Sequence, residues 1–296
     1  MKKAGTSSHS ILNPAMLNVF IRTNGKQMLG ALLGRHAILR TAAHPERVEV
    51  RYINVDEIDL FKAFEGRQYS RKGHTLTYTL DDLQSFTLAA FMAPQLMGYQ
   101  GRAMVIDPDV FAITDVERLF ERDLRGKSLA ARPKRGAWDT SVMMLDCAKL
   151  KHWDMKTILD DLAAFRTTYE DWMTVRHEDV DDLEPEWNSW DALTPSTNAL
   201  HTTNRLTQPW KTGLKIDFTR NPVPKLFGVV PREWLMWLRG DLPSRYQPHP
   251  DKGIETFFFR LVKDALAHGA VTKEMVEAEI KSGHVRPDLL ERAAKA

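Results

Sequence analysis

Hydrophobic positions fall along this chain in short runs whose spacing alternates between strand and helix periods. NVFIRT at 18–23 is a compact apolar run with β-branched side chains, which reads as a buried strand. Asn24-Gly25 turns the chain, and KQMLGALLGRHAIL then sets Met28, Leu29, Leu32 and Leu33 at helical spacing. VEVRYI at 48–53 reads as a second strand. Strand, helix, strand is a βαβ unit, which predicts an α/β fold with a parallel sheet and helices on its faces.

Further on, SFTLAAFMAPQLMGYQG is apolar enough for a buried helix, broken or ended near Pro94. RAMVIDPDVFAI predicts a strand that stops at an Asp-Pro-Asp turn, and VERLFERDL a short amphipathic helix. TSVMMLDC is another strand-like run, in which the lone Cys147 reads as core. KTILDDLAAFRTTYEDWM predicts one helix with Ile158, Leu162 and Phe165 on a shared face. Past residue 228, REWLMWLRGDL, IETFFFRLVKDALAHG, TKEMVEAEIKSG and RPDLLERAAKA read as helices. Gly269 and Gly283 sit at C-cap positions there, and Thr272 at an N-cap. The aromatic segments REWLMWLRG and ETFFFRL suit core helices, with an acceptor cleft, an oligomer contact or a membrane-surface contact as the other readings. The resulting division is a flexible tail over 1–17, an α/β domain over 18–228 and a helical appendage over 229–296.

Charge then narrows the function. The 41 Lys+Arg against 39 Asp+Glu leave a net charge of +2, with no cationic excess to displace counterions from a nucleic-acid backbone. One cysteine excludes an internal disulfide framework and any CxxC zinc site. No apolar run approaches the roughly 20 residues of a transmembrane helix. MKKAGTSSHSILNPAML lacks the continuous apolar stretch of a signal peptide, so the expectation is a cytoplasmic protein. Two charge runs, six bases from Arg122 to Arg135 and six acids from Glu178 to Glu186, read as solvated loops.

Several nucleotide-binding and hydrolytic signatures are missing from the sequence. Thr23-Asn24-Gly25-Lys26 stands where a GxGxxG would follow the first strand, and there is no P-loop, HExxH or GxSxG. What remains is Asp107-Pro108-Asp109. A second Asp-x-Asp pair, Asp179 and Asp181, lies in the acidic run, so the bare pattern carries no weight. Context separates the two, because Asp107 ends the strand AMVI, and open α/β sheets bind ligands at the carboxyl ends of their strands. The pair is then either a seat for a hard divalent cation or an ordinary Asp-Pro turn closed on its own backbone. His201, which closes STNALH, is a further candidate ligand.

At this point five stretches resemble a known family. GYQGRAMVIDPDVFAITDVERLF, WDTSVMMLDCAKLKHW, YEDWM, LEPEWNSWDAL and ALHTTNRLTQPWKTG are similar, in order, to segments of family 8-type glycosyltransferases. The strand-helix opening at 18–40 fits as well. The resemblance implies a GT-A fold in which 18–228 binds a nucleotide sugar, a UDP-sugar above all, with manganese or magnesium. It implies hexose transfer to an unknown acceptor, with retention at the anomeric carbon.

Carried over by position, Asp107, Asp109 and His201 would hold the metal. Val19 to Asn24, with Arg22, Thr23 and Asn24 at its end, would cradle the nucleoside. Gln208, Trp210 and Lys211 would lie near the diphosphate or sugar, Asp139 and Thr140 would face the sugar, and Asp171 would sit near the reacting centre. The chain departs from the family pattern at Asp139-Thr140-Ser141, which replaces asparagine-serine-glycine. It also lacks the arginine of the SFTLAAFMAP helix and the glycine-x-x-lysine after the histidine. A catalytically weakened nucleotide- or partner-binding protein and a metal-dependent phosphotransferase or hydrolase are the competing readings.

Overall fold

The computed structural model describes residues 16–218 and 243–296. The expected flexible tail, save its last two residues, and the REWLMWLRGDL helix lie outside those residues.

β1 (Leu17–Thr23) leads into α1 (Met28–Thr41) and β2 (Val48–Asn54), and the two strands pair in parallel from Leu17↔Val48 to Thr23↔Asn54. The Asn24 side chain accepts from the Gln27 N–H, which holds the turn between β1 and α1. Next come α2 (Asp59–Phe64) and the hairpin β3 (Gln68–Arg71) and β4 (His74–Thr77). Lys72 and Gly73 close that hairpin at φ +51° and +73°, the left-handed pair that a tight hairpin turn requires. SFTLAAFM is helical but of the 3-10 kind over Ser85–Met92, and Pro94 lies in the first turn of the short α3 (Ala93–Leu96). Proline therefore starts a helix here, where the sequence predicts that it ends one; its missing N–H costs nothing in a first turn.

β5 (Arg102–Ile106) and β6 (Val110–Ala112) flank the Asp-Pro-Asp turn, and α4 (Glu117–Phe120), β7 (Leu129–Lys134) and β8 (Ala137–Asp146) follow. The helix expected over KTILDDLAAFRTTYEDWM is two helices, α5 (Met155–Ala163) and α6 (Tyr169–Met173). Phe165 breaks it at φ +57° and is half exposed, so it does not share the buried face of Ile158 and Leu162. Thr168 restarts the chain with a capping box, its hydroxyl on the Asp171 N–H and the Asp171 carboxylate on the Thr168 N–H. β9 (Val180–Asp182), β10 (Ser189–Trp190) and β11 (Ala199–His201) complete the strands.

The main sheet runs β2-β1-β5-β8-β7-β9, with β8 alone antiparallel to its neighbours, and a small sheet runs β10-β11-β6. Side chains of β1 alternate between two cores: Val19 and Ile21 pack with α1 residues on one face, and Phe20 packs with Trp153 and α5 residues on the other. This is the α/β fold with flanking helices that the sequence predicts, but the sheet is mixed instead of parallel because β8 runs antiparallel. α7 (Lys252–Ala267), α8 (Lys273–Lys281) and α9 (Leu289–Lys295) contribute Phe258, Val262, Val276 and Leu289 to the same core as Ile21 and Leu33. Gly269 and Gly283 take left-handed φ after α7 and α8, and Thr272 caps α8, as expected.

The two charge runs are largely solvated, as expected, but they carry paired strands instead of loops. β7 lies inside the basic run and pairs in parallel with β9 inside the acidic one, Leu129↔Val180. Around that edge Arg122 bonds Asp181 at 2.6 Å and Glu184 at 3.0 Å, Lys127 meets Asp179 at 2.6 Å, and Arg125 pairs with Asp181. The second Asp-x-Asp is thus held by arginine and lysine.

Candidate functional site

The sheet reverses its direction of growth between β1 and β5. From β1 the chain crosses through α1 to β2 on one side, and it later returns to β5 on the other. A crevice opens where the carboxyl ends of two such parallel strands diverge. Arg22 and Thr23 end β1 there, and Asp107 follows β5. Because β8 runs antiparallel, its early residues Asp139 to Ser141 reach the same edge, and the Asp107 N–H donates to the Ser141 carbonyl at 2.9 Å. β11 pairs antiparallel with β6, His201↔Val110, which carries His201 to Asp109 across more than ninety residues.

α1 is pressed against this turn. A Cβ on Gly30 would stand 2.5 Å from the Pro108 carbonyl oxygen, and one on Gly34 would stand 3.2 Å from that of Val110. Glycine at 30 lets the helix backbone reach the Asp-Pro-Asp loop directly.

Asp107, Asp109 and His201 are all buried, and their ligand atoms lie within 4.8 Å of one another. Arg22 donates through Nε to Asp107 Oδ1, and through its other nitrogens to the Thr87 and Thr140 carbonyls. Asp109 Oδ2 accepts from Gln208 Nε2 at 3.0 Å. Asp109 Oδ1 has no hydrogen-bond donor among the described residues and stands 3.5 Å from His201 Nε2.

The proton on His201 follows from its neighbours. Asn188 donates through Nδ2 to Asp139 Oδ1 at 3.2 Å, so its oxygen faces His201 Nδ1 at 2.7 Å. An oxygen there requires Nδ1 to carry the hydrogen, so Nε2 is the ring nitrogen that faces Asp109 Oδ1 and is placed to hold a metal. A buried carboxylate oxygen without a donor, 3.5 Å from an imidazole nitrogen, suits a shared cation. The donor set, two carboxylates and one imidazole, therefore fits a divalent metal.

Burial, helped by the Asp107 charge, raises the Asp109 carboxyl from 3.8 to about 6 against the opposing pull of His201 and Gln208. Burial also pushes Asp139 up, but His201, Lys134 and the bonds from Ser141 outweigh it and hold Asp139 well below the carboxylate range.

A pH dependence follows for the metal-free protein. The raised Asp109 contributes stability that is complete below its unfolded value near 3.8 and is lost as pH rises through about 6. A divalent ion held there would replace that proton, so the affinity for Mn²⁺ as a probe should weaken by about tenfold per pH unit below 6. Titration calorimetry with Mn²⁺ at pH 5 and pH 7.5 checks this, and equal affinity at both would contradict it.

Asn188 is a site residue with no signal of its own in the sequence, although it lies in LEPEWNSWDAL, one of the stretches that resemble the family. It is fully buried and links Asp139 to His201. Asn188→Leu should cost about 10- to 100-fold in metal affinity by freeing the His201 ring, with no contact to the metal removed. Unchanged Mn²⁺ binding in that variant would remove the proposed orientation of the ring.

The cleft over these groups has a volume of about 200 Å³, below the roughly 300–1,000 Å³ usual for a ligand pocket. Gln27, Gln84, Thr87, Lys134, Thr203 and Arg205 line it beside Asp107, Asp109, Asp139, His201 and Gln208. Arg205 and Lys134 are its flanking cations; Lys134 bonds Asp139 at 3.0 Å, and Arg205 bonds Gln84 and stacks on Phe218.

Several expected site residues stand elsewhere. Trp210 is a core residue stacked on Phe258, with ring centroids 5.1 Å apart, and does not line the cleft. Its apolar area explains the difference, since the core offers it aromatic partners. Lys211 is buried and bonds Asp217 at 3.0 Å; burial lowers its pKa while Asp217 opposes the shift. Asp171 is committed to the cap of α6 and lines a separate hollow with His152 and His177. Asn24 lies at the end of β1 with its amide spent on Ser85, Leu83 and Asp82, and Thr23 and Thr140 are buried beside it and Arg22.

No protein-family model and no curated protein matches this sequence. Solved structures similar to it are glycosyltransferases. The glycosyltransferase GlyE of Streptococcus pneumoniae TIGR4 is 14% identical, with a TM-score of 0.48 over 80% of this chain and 66% of GlyE. The bifunctional WbbM is 13% identical, with a TM-score of 0.48 over 69% of this chain and 49% of that one. The galactosyltransferase LgtC, solved with donor and acceptor sugar analogs, is 9% identical, with a TM-score of 0.42 over 66% of this chain and 89% of LgtC. The chain spans about two thirds of GlyE and about half of WbbM.

Proposed function

We propose that this chain is a GT-A glycosyltransferase that moves a hexose from a nucleotide-sugar donor, a UDP-sugar, to an acceptor with retention, using manganese or magnesium. The observation that carries this reading is the buried, donor-less Asp109 Oδ1 set 3.5 Å from His201 Nε2, beside Asp107 at the switch point of the sheet. A solvated Asp-Pro turn would not bury three ligand side chains around one point.

Asp107, Asp109 and His201 would hold the metal, which when bound supplies Lewis-acid stabilisation of a departing diphosphate. The chain's own groups do the rest. Arg22 neutralises one oxygen of Asp107, so the site does not gather three unopposed carboxylates. Gln208 fixes Asp109, and the Asp139–Asn188 pair fixes His201, so these side chains are oriented before any ligand arrives. Arg205 and Lys134 present positive charge to the phosphates from the cleft walls. Asp139, kept ionised by His201 and Lys134, faces the sugar as acceptor of its hydroxyl hydrogens.

A thermal-shift screen of nucleotide sugars with and without Mn²⁺ tests the reading. At 100 times its Kd, a bound donor adds about 2.7 kcal/mol of stability. Stabilisation by a UDP-sugar that needs Mn²⁺ is the expected result, and no stabilisation by any donor would count against it.

A further inference from the structure

We infer that His36, Asp264 and His268 form a second metal site, which takes a zinc-class divalent cation and clamps α1 to α7. The site lies apart from the cleft and does not depend on the function proposed above. His36 is a buried residue of α1, Asp264 lies in the last turn of α7, and His268 follows it by four residues. Residues four apart project from one face of a helix, so Asp264 and His268 form a natural two-point chelate. His36 supplies the third point from the neighbouring helix.

The ligand atoms of the three residues lie within 4.8 Å of one another. His268 Nδ1 stands 3.3 Å from Asp264 Oδ1, close to the separation of about 3.4 Å between ligands on a tetrahedral ion with bonds near 2.0–2.1 Å. His36 Nε2 stands 2.8 Å from Asp264 Oδ2, a hydrogen bond that a cation would open by about half an ångström. The two rings have centroids 5.9 Å apart. Arg40 is the other cation near Asp264, at 3.6 Å, and it is exposed enough to swing into solvent. His268 Nδ1 also lies 2.9 Å from the Asp264 carbonyl oxygen, so the ring either turns its other nitrogen to the ion or gives up that contact.

The donor set decides the class of ion. Two imidazoles and one carboxylate suit zinc, cobalt, nickel or copper, whereas the cleft, with two carboxylates and one imidazole, leans toward harder ions. His268 is largely exposed, which gives the ion access and leaves a fourth position for water. Three ligands drawn from two helices of one core would make binding stabilise the contact between α1 and the C-terminal helices.

The test uses the full chain without a histidine tag, in an Asp109→Asn background that removes the cleft site. Cobalt alone should then give one equivalent of bound ion with tetrahedral visible absorption bands, and zinc alone should raise the Tm. Adding His268→Ala, an exposed position that tolerates substitution, should abolish the bands and the Tm rise. It should also weaken affinity by more than about 100-fold, the upper end of what loss of an outer partner costs. His36→Gln should do the same if it folds, and the His268 variant carries the test if it does not. No bands and no Tm rise in the Asp109→Asn protein, or bands unchanged by His268→Ala, would overturn the inference.

Discussion

Asp109→Asn should lose metal-dependent turnover by about 10³-fold or more while the metal-free protein becomes more stable at neutral pH. The opposite signs come from one geometry. Asparagine keeps the size of aspartate, and its oxygen can still accept from Gln208 Nε2. Its nitrogen then faces His201 Nε2, to which it can donate, and the donor-less buried oxygen is gone. The buried carboxylate, raised from 3.8 to about 6, is also gone, which releases up to about 3 kcal/mol at pH 7.5. Gel filtration and denaturant unfolding give the stability, and Mn²⁺ titration gives the binding. A variant that loses both stability and metal would make Asp109 a structural residue instead.

Gly30→Ala should damage the site from outside it. The new methyl would press on the Pro108 carbonyl at 2.5 Å, and that atom belongs to backbone that cannot rotate away. Alanine in an exposed helix would gain up to about 1 kcal/mol over glycine. Overpacking of about 1–3 kcal/mol opposes it, and a backbone neighbour puts this site at the upper end. The net result expected is a lower Tm and a displaced Asp-Pro-Asp turn, with about 100-fold less activity from a shift near 1 Å. Gly34→Ala, with 3.2 Å to the Val110 carbonyl, should do the same more mildly. Equal and small effects at both positions would show that α1 does not set the turn.

Some of this was readable in one dimension. AMVI followed by Asp107-Pro108-Asp109 announces a strand end bearing two carboxylates, and NVFIRT to VEVRYI announces the βαβ unit that places it. His201 was harder, because β11 has three residues and no period; it was one candidate ligand among ten histidines until the family resemblance set it beside Asp107 and Asp109, and its pairing with Val110 is long-range. Gly30 carries no local signal either, since the atom it spares, on Pro108, lies 78 positions away in sequence. The charge runs were visible but read in isolation, and only the parallel pairing of β7 and β9 sets Arg122 and Lys127 against Asp181 and Asp179. Trp210 and Lys211 share a polar-looking neighbourhood in sequence, yet the tryptophan stacks on Phe258 from α7, which periodicity could not reveal.

Release of UDP from a panel of UDP-sugars, followed with and without Mn²⁺, tests the central claim most directly. Manganese-dependent release from at least one of them, absent in Asp109→Asn, is the result predicted here. No release from any of them, or release at the same rate after the metal is chelated, would contradict it.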